Sequence, residues 1–216
     1  MASYLNPYNK PLGSEDMKTN AKFLASYLLA QGWTMQAICG ALGNWESECK
    51  LNPNDPQTDA SGFPSSSSSR AGGFGLAQWT PCGGKILTYC ENKGITPTPS
   101  DDNPAGTMEI QIEYHEWECI NGYKGGKTWY TNHGYTYSWA EYKASTDDPS
   151  ELATAYYWQY ERSASGSPGT RPAQATAWYE YLTGIDLPDV GPVLSGKMSL
   201  MDLILYTKRG RKMIVV

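Results

Sequence analysis

The sequence lacks the patterns that identify membrane, secreted and zinc-binding proteins. No apolar run in its 216 residues reaches the ~18 residues of a membrane span, and residues 1–18 contain no apolar stretch of signal-peptide type. The five cysteines form no Cys-x-x-Cys pair, and no histidine cluster accompanies them, which argues against a zinc site. We therefore expect synthesis in a reducing cytoplasm and no cofactor or metal. If the protein acts outside the cell, something other than a signal peptide delivers it.

Charge and phenylalanine are also scarce. Charged residues make up 18% of the chain, and the formal net charge is -5, which argues against nucleic acid as a partner. Hydrophobic residues make up 40%, which fits a folded globular protein with one good-sized core. Only 3 Phe stand against 16 Tyr and 8 Trp. Tyr and Trp combine an apolar face with a polar group, so they suit either stacking on sugars or a core with polar edges.

The spacing of apolar residues predicts a mainly α-helical (α+β) protein. Ser14 is expected to begin a first helix that ends at Gly32, and Thr34 to cap a second helix that ends near Glu48. Further helices are predicted after Pro81, from Asn103-Pro104 onward, around Trp139, after Asp148 and over residues 174–182.

Between the second and third predicted helices, residues 52–75 are rich in Pro, Ser and Gly and cannot form a regular helix. We interpret them as a long surface loop that leads into a short β-hairpin around GGFGLAQW. Loops of this length inside a compact domain are usually functional. Near the other end, a Pro/Gly-rich linker precedes an apolar and basic tail. The sequence thus predicts one domain over residues 1–186, followed by a linker and tail over 187–216.

The second predicted helix carries two glutamates, Glu46 and Glu48, and helix geometry separates them. Each residue advances about 100° around the axis, so the two side chains point roughly 200° apart. Glu48 follows Trp45 by three residues and lies on the apolar stripe, whereas Glu46 is expected to be a solvated surface acid. Burial against apolar surface disfavours a charged carboxylate and raises its pKa, as a general acid requires. By geometry alone, Glu48 is either such an acid or a buried, hydrogen-bonded structural residue.

Three sequence blocks occur in an order that points to one family. Gly43-Asn44 begins the first block, Glu48 is its acid and Asn52-Pro53 closes it; the second block runs from Gly73 to Thr80, and the third is YERSASGSPGTRPAQATAWYEYL at 160–182. Over residues 14–183 the sequence resembles the phage tail lysozymes. These are peptidoglycan-cleaving domains of phage tail tips, related to lysozymes and soluble lytic transglycosylases. Cys49 departs from the pattern, because the family has a serine there.

The resemblance implies a lysozyme-like fold with a small β-hairpin beside an active-site cleft, and Glu48 as the catalytic acid. Around it, Gln78 could hold a sugar hydroxyl or N-acetyl group, and Gly75 would let the main chain approach a sugar closely. Trp79 is either a stacking platform or a core residue. Tyr160 is a further candidate for orienting the substrate or a water molecule.

A second carboxylate is harder to assign. Retaining glycosidases place a nucleophile about 5 Å from the acid, and inverting ones a base about 6.5–9.5 Å away. Asp55 and Asp59 could reach across the cleft or could be ordinary turn residues. Glu161 could serve, or could be a buried partner of Arg162 or Arg171. Enzymes that resemble single-glutamate transglycosylases need no second carboxylate, because a hydroxyl of the substrate attacks.

The expected function is that of a phage-tail glycosidase in the virion tail tip. It would break the β-1,4 bond between N-acetylmuramic acid and N-acetylglucosamine and open the host wall locally as the genome enters. Alternatives are a catalytically inactive wall-binding or structural module, a lytic transglycosylase, and a free endolysin. Retention of Glu48 with both of the first two blocks argues against the inactive module. The tail from Met198 could dock on its own core, contact other tail proteins or meet a membrane.

Overall fold

The protein is built from helices joined by loops. The computed structural model describes residues 3–57, 72–124, 126–162 and 166–190. Its α-helices are α1 Ser14–Ala30, α2 Met35–Cys49, α3 Ile86–Asn92, α4 Met108–Asn121, α5 Trp139–Ala144, α6 Pro149–Tyr156 and α7 Arg171–Thr183. Short 3-10 turns lie at Cys82–Gly84 and Pro104–Gly106, and a π-helix, Tyr157–Glu161, continues α6. None of the described helices combines the length and the apolarity that crossing a membrane requires. The predicted mainly helical class is confirmed.

Several predicted helix starts are confirmed at the level of their hydrogen bonds. The Thr34 hydroxyl accepts a bond from the Ala37 amide at 3.2 Å, which satisfies a donor of the first turn of α2. The Asp148 carboxylate accepts from the Ser150 amide at 2.8 Å and opens α6 in the same way. α1 also begins at Ser14, as predicted. Local side-chain chemistry therefore caps α2 and α6, whereas Gly13 precedes α1 without a side-chain cap bond.

The helix predicted to open at Asn103-Pro104 is interrupted. Residues Pro104–Gly106 form a separate 3-10 turn, and α4 begins only at Met108. A Cβ added at Gly106 would lie 2.5 Å from the side chain of Asn54, so the turn packs tightly against the loop that follows α2. The tertiary contact with this loop accounts for the interruption.

The predicted β-hairpin around GGFGLAQW is not seen among the described residues, which contain no β-strand. A single antiparallel bridge joins Pro56 to Phe74. Beyond that bridge the backbone turns, with positive φ at Gly75 (79°) and Gln78 (43°), and the Gln78 amide donates to the Gly75 carbonyl at 3.0 Å. Extended backbone cannot run through such angles, so the segment coils instead of pairing. Residues 58–71 lie outside the described part of the chain.

Helix α2 is the central element and packs against α1, α6 and α7. Two of its glycines permit this packing. A Cβ at Gly40 would lie 2.9 Å from Leu152 of α6, and one at Gly43 would meet the Arg171 carbonyl of α7. Close approach at Gly43 places the N-terminus of α7 directly over the last turns of α2. This contact positions Arg171 near Glu48.

Most of the abundant Tyr and Trp side chains build the interior. We use the term aromatic core cluster for Trp45, His115, Trp129, Trp139, Tyr142 and Tyr156, whose rings contact one another. Within it the Trp45 indole donates to the Tyr156 hydroxyl at 2.9 Å, and that hydroxyl pairs with His115 Nε2 at 2.6 Å. Of the two uses that the composition allowed, a core with polar edges is the one adopted by these residues.

Candidate active site

A cleft of about 260 Å³ lies where five segments meet: the end of α2, residues 77–80, the residue before α3, Thr128, and the end of the π-helix with the residue that follows it. Its lining includes Glu48, Gln78, Lys85, Tyr160, Glu161 and Arg162. A larger cavity of about 460 Å³ lies between the end of α4 and residues 126–141. The smaller cleft contains Glu48 and Glu161, two of the candidate catalytic glutamates from the sequence, so it is the candidate active site.

Glu48 projects from α2 into this cleft and forms an ion pair. Its side chain is 21% exposed, and its Oε1 accepts a bond from Nη2 of Arg171 at 2.5 Å. The guanidinium of Arg171 also lies over the Tyr157 ring, 5.0 Å from its centroid. Charge-assisted bonds of this kind are the stronger class of hydrogen bond, and here the ionised carboxylate is the acceptor. The apolar stripe alone did not indicate this arginine.

The prediction that Glu46 is a solvated surface acid was wrong. Glu46 is half-buried, and its carboxylate accepts a bond from the indole of Trp178 at 2.9 Å. Helix α7 covers this side of α2, because Gly43 lets the two helices approach closely. Both glutamates are therefore engaged by α7, but only Glu48 lines the cleft.

Glu161 enters the same cleft at the end of the π-helix. There the Arg162 amide donates to the Tyr157 carbonyl five residues earlier, at 2.8 Å. Burial, followed by the negative charge of Glu48, raises the pKa of Glu161 well above its usual range, although the charge of Arg171 opposes the shift. Its Oε1 is sealed from solvent and has no hydrogen-bond partner among the described residues. Burial thus favours the protonated form of Glu161, whereas Glu48 has a counter-ion in Arg171.

Neither of the two arginines proposed as partners for Glu161 forms an ion pair with it in the described part of the chain. Arg171 pairs with Glu48 instead. Arg162 donates from Nε to the Tyr160 carbonyl at 3.0 Å and from Nη1 to the Tyr130 hydroxyl at 2.7 Å. The buried-partner interpretation of Glu161 thus loses both of its expected counter-ions.

The floor of the cleft is a hydrogen-bonded triad around a buried acid. Trp79 is 2% exposed, and its indole donates to the Tyr160 hydroxyl at 2.7 Å and to Glu118 Oε2 at 3.0 Å. The Tyr160 hydroxyl donates to the same carboxylate oxygen at 2.8 Å. The side chain of Glu118 is fully buried, and Lys85 Nζ lies 3.7 Å from its Oε1. Trp79 is therefore a core residue beneath the cleft, and the hydroxyl of Tyr160 is engaged by protein groups.

The two loop residues expected to meet the sugar are held by protein contacts. The amide nitrogen of Gln78 donates to the Asp55 carbonyl at 2.9 Å and to the Gly75 carbonyl at 3.1 Å. A Cβ at Gly75 would lie 2.5 Å from the side chain of Gln111, so the close approach that this glycine allows is to Gln111. Gln78 still lines the cleft, and sugar binding by its amide stays a prediction.

Of the two loop aspartates proposed as a second carboxylate, only Asp55 lies among the described residues. Asp55 does not line the cleft among the described residues, and burial raises its pKa to about 6. Its carbonyl accepts a bond from the Gly75 amide at 3.1 Å, which holds the loop against the turn. Asp59 lies outside the described residues. A catalytic role for either aspartate stays a prediction.

The cysteines and histidines take no part in the cleft. All five cysteines are buried, and none of them forms a disulfide bond within the described residues. The Cys49 thiol lies within 3.5 Å of the Trp45 and Leu76 carbonyls, so it contacts main chain. Burial, followed by the charge of Lys143, lowers the pKa of His115 to about 3. Within the described ranges, no cluster of three His, Cys, Asp or Glu residues could hold a metal ion.

Sequence reasoning missed three charged residues around the cleft: Lys85, Glu118 and, as the partner of Glu48, Arg171. A signal for Glu118 was present in α4. Its buried face includes Gln111, His115 and Glu118, which follow one another at intervals of four and three residues. Polar residues at the spacing of a buried stripe indicate an interior hydrogen-bond network and not a solvated surface.

The sequence is similar to known phage proteins. The sequence model described as phage tail lysozyme matches residues 19–182. Morphogenesis protein 1 of Bacillus phage B103 is 34% identical to the chain over 176 residues, which are 82% of this chain and 42% of that protein. The chain thus spans less than half of the length of this curated relative.

Proposed function

The chain belongs to the phage tail lysozyme family, and on that premise we propose that it is a peptidoglycan-cleaving glycosidase of a phage tail. The observation that carries this proposal is the pair of carboxyl groups in one cleft. Glu48 pairs with Arg171, and burial and the charge of Glu48 raise the pKa of Glu161 well above its usual range. Carboxyl groups whose environments push their proton affinities apart are the usual basis of acid and base roles in glycosidases.

In the proposed reaction, Glu48 protonates the glycosidic oxygen, and Glu161 is its partner carboxyl. The unliganded cleft holds one proton for the two groups. For Glu48 to donate, this proton passes from Glu161 to Glu48 when a sugar fills the cleft. Glu161, now ionised, can accept a proton from an attacking water molecule. The proton balance then closes: one proton goes to the leaving oxygen and one returns from the water.

The bond that we propose for cleavage is the β-1,4 bond between N-acetylmuramic acid and N-acetylglucosamine. A hydrolase needs an activated water, and Glu161 provides a group that could activate it. A lytic transglycosylase would instead use Glu48 alone and leave 1,6-anhydro ends. Mass spectrometry of the muropeptides released from purified walls separates the two, since hydrolysis gives reducing ends. Anhydro products would show that Glu161 does not act as a base toward water, but cleavage of the glycosidic bond would still be supported.

The alternative of an inactive wall-binding module is tested on the same material. We expect the purified chain to clear a suspension of cell walls and the Glu48→Gln protein to bind the walls without clearing them. Binding without clearing by the parent protein would favour the inactive module and contradict the proposed function.

We also propose a place in the virion, at the tail tip, where local cleavage opens the wall as the genome enters. The family description and the name of the relative, a morphogenesis protein, support a particle component over a free endolysin. The apolar and basic tail from Met198, proposed to contact other tail proteins or a membrane, lies outside the described residues. Immunodetection of the chain in purified, DNA-filled particles would test the location.

A further inference from the structure

Two cations line the cleft and have no part in the reaction proposed above: Lys85 and Arg162. The side chain of Lys85 is 20% exposed, and its Nζ lies 3.7 Å from a sealed oxygen of Glu118, beyond hydrogen-bond distance. Arg162 follows the π-helix directly and is exposed. Both groups therefore present hydrogen-bond donors to whatever occupies the cleft.

The backbone of Arg162 is unusual for an arginine. Its φ of 51° and ψ of 38° are left-handed, and helix ends with this geometry favour glycine or asparagine. The side chain is nevertheless fixed by contacts. Its Nε donates to the Tyr160 carbonyl, its Nη1 donates to the Tyr130 hydroxyl, and its guanidinium lies 4.7 Å from the Tyr130 ring centroid. The Arg162 side chain is thus held in one orientation beside the cleft.

The balance of charge in the cleft leaves Arg162 uncompensated. Arg171 balances Glu48, and Lys85 balances the buried Glu118. Within the described residues, Arg162 forms no ion pair. With Glu161 protonated, three cations (Lys85, Arg162 and Arg171) stand against two anions (Glu48 and Glu118) in and beneath the cleft, in a chain whose formal net charge is -5. A local field of opposite sign to the whole protein attracts an anionic ligand into the cleft.

We propose that Arg162, assisted by Lys85, binds a carboxylate of the substrate. This inference rests on the proposed function and adds specificity to it. In a wall glycan strand, carboxylates occur on the muramic acid side, as the lactyl group or in the peptide attached to it. The guanidinium is a planar fork that binds a carboxylate with two parallel hydrogen bonds. Arg162 therefore selects strands that carry carboxylates and sets which sugar lies next to Glu48.

The test uses the full chain and three soluble substrates. These are glycan strands with peptides that carry free carboxylates, strands stripped of peptide by an amidase so that only lactyl carboxylates remain, and intact strands whose carboxylates have been converted to amides. KM and kcat are measured for the parent, for Arg162→Gly and for Arg162→Lys. Glycine suits the left-handed backbone, so it removes the cation and its contacts with Tyr130 and the Tyr160 carbonyl without straining the main chain. Lys93→Met is the control, since Lys93 pairs with Glu113 outside the cleft.

We expect Arg162→Gly to raise KM about tenfold on strands with free carboxylates, as for the loss of a charge-assisted contact, with kcat changed less than about twofold. On amidated strands its KM should equal that of the parent. Loss on peptide-bearing strands alone identifies the peptide as the source of the carboxylate, and loss on stripped strands alone identifies the lactyl group, which the peptide otherwise blocks as an amide. Arg162→Lys should recover part of the loss.

An equal rise in KM on amidated strands, or no rise on any strand, would overturn the proposal. Calorimetry of the same substrates with Glu48→Gln protein, with and without Arg162→Gly, reads binding without turnover. If the chain binds strands in a carboxylate-dependent way but cleaves no wall, the proposed glycosidase activity is contradicted and the proposed carboxylate-binding site is supported. If Arg162→Gly does not fold, Arg162→Asn is compared in its place, since asparagine also tolerates left-handed backbone.

Discussion

The aromatic core cluster and the cleft lie next to each other but differ in whether their buried polar atoms have hydrogen-bond partners. They meet at Tyr160, whose ring lies 4.6 Å from that of His115. In the cluster, the polar atoms pair with one another: Trp45 and His115 both bond the Tyr156 hydroxyl. In and under the cleft, Glu161 and Glu118 each keep an oxygen without a hydrogen-bond partner among the described residues.

The difference shows where the fold gains stability and where it loses some. A buried polar group with its bonds made costs little, whereas an unsatisfied one costs about 1–3 kcal/mol. Such groups persist at sites where a ligand completes them. The comparison predicts that substitutions in the cluster lower stability, and that substitutions in the cleft lower activity while they spare or improve stability.

The largest expected effect is in the cleft. Glu48→Gln should reduce wall cleavage about 10³-fold, because an amide cannot transfer the proton, and general acid catalysis contributes about 10²–10⁴-fold. Turbidity loss of a wall suspension measures the rate, and circular dichroism checks the fold. Glu46→Gln is the matched control and should stay within a few-fold of the parent. The reverse pattern in the two variants would move the catalytic role to Glu46.

Glu161→Gln should separate activity from stability. We expect a rate loss of about 100-fold, if Glu161 is the partner carboxyl, together with a higher free energy of unfolding at pH 7. The sign follows from the raised pKa of Glu161. The folded state keeps a proton that the unfolded state releases, so stability is lost as pH rises above about 4.5, the ordinary pKa of glutamate. Urea unfolding of the parent and the variant at pH 5 and 8 measures this change in the free energy of unfolding. A variant that is less stable than the parent at pH 8 would contradict the assignment.

His115, on the cluster side, should give the opposite pH dependence. Burial lowers the pKa of His115 to about 3. At a pH between this value and the ordinary pKa of histidine, the unfolded state therefore binds a proton that the folded state does not bind. Stability is therefore present above about pH 6.5 and is lost progressively as pH falls toward 3. Between pH 7 and 5 the free energy of unfolding should fall by about 2 kcal/mol from this group. His115→Gln should flatten that slope, and His133→Gln, at an exposed site, should leave it unchanged.

Gln78→Ala should have a smaller effect, and it should lower both activity and stability. Its amide holds the Asp55 and Gly75 carbonyls, so removal loosens the loop at the edge of the cleft. We expect a loss of kcat of about tenfold or less, with a fall in stability of about 1 kcal/mol for the lost bonds. Kinetics on soluble strands and thermal melting test both parts. An unchanged melting temperature with a much larger loss of rate would favour direct contact with the sugar.

The smallest effect is expected from the tail. Removing residues 191–216 should leave kcat and KM within about twofold, because the cleft is assembled from residues 48–171. The cut is placed after Val190, which is buried against the core although it follows the predicted boundary at 186. A truncated chain that unfolds or loses activity would show that the tail belongs to the catalytic domain.

Features that depend on a few neighbouring residues were predictable from the sequence. The caps at Thr34 and Asp148 and the projection of Glu48 away from Glu46 follow from local helix geometry. The pairing of Glu48 with Arg171 was not predictable, because it depends on how α7 docks on α2 at Gly43. The coil in place of a hairpin depends on positive φ at Gln78, a residue that gives no local sign of this backbone.

The π-helix Tyr157–Glu161 has a consequence for how this segment can vary in length. Its closing bond spans five residues, one more than an α-helical bond, so the segment contains one residue beyond what a continued α6 would need. Deleting a single residue there would let α-helical bonding continue. It would also turn every following side chain by about 100° around the axis, which would carry the 161 and 162 side chains away from Glu48. Substitutions in these five positions can be accommodated one at a time, but a shortened segment would be an intact helix without its cleft.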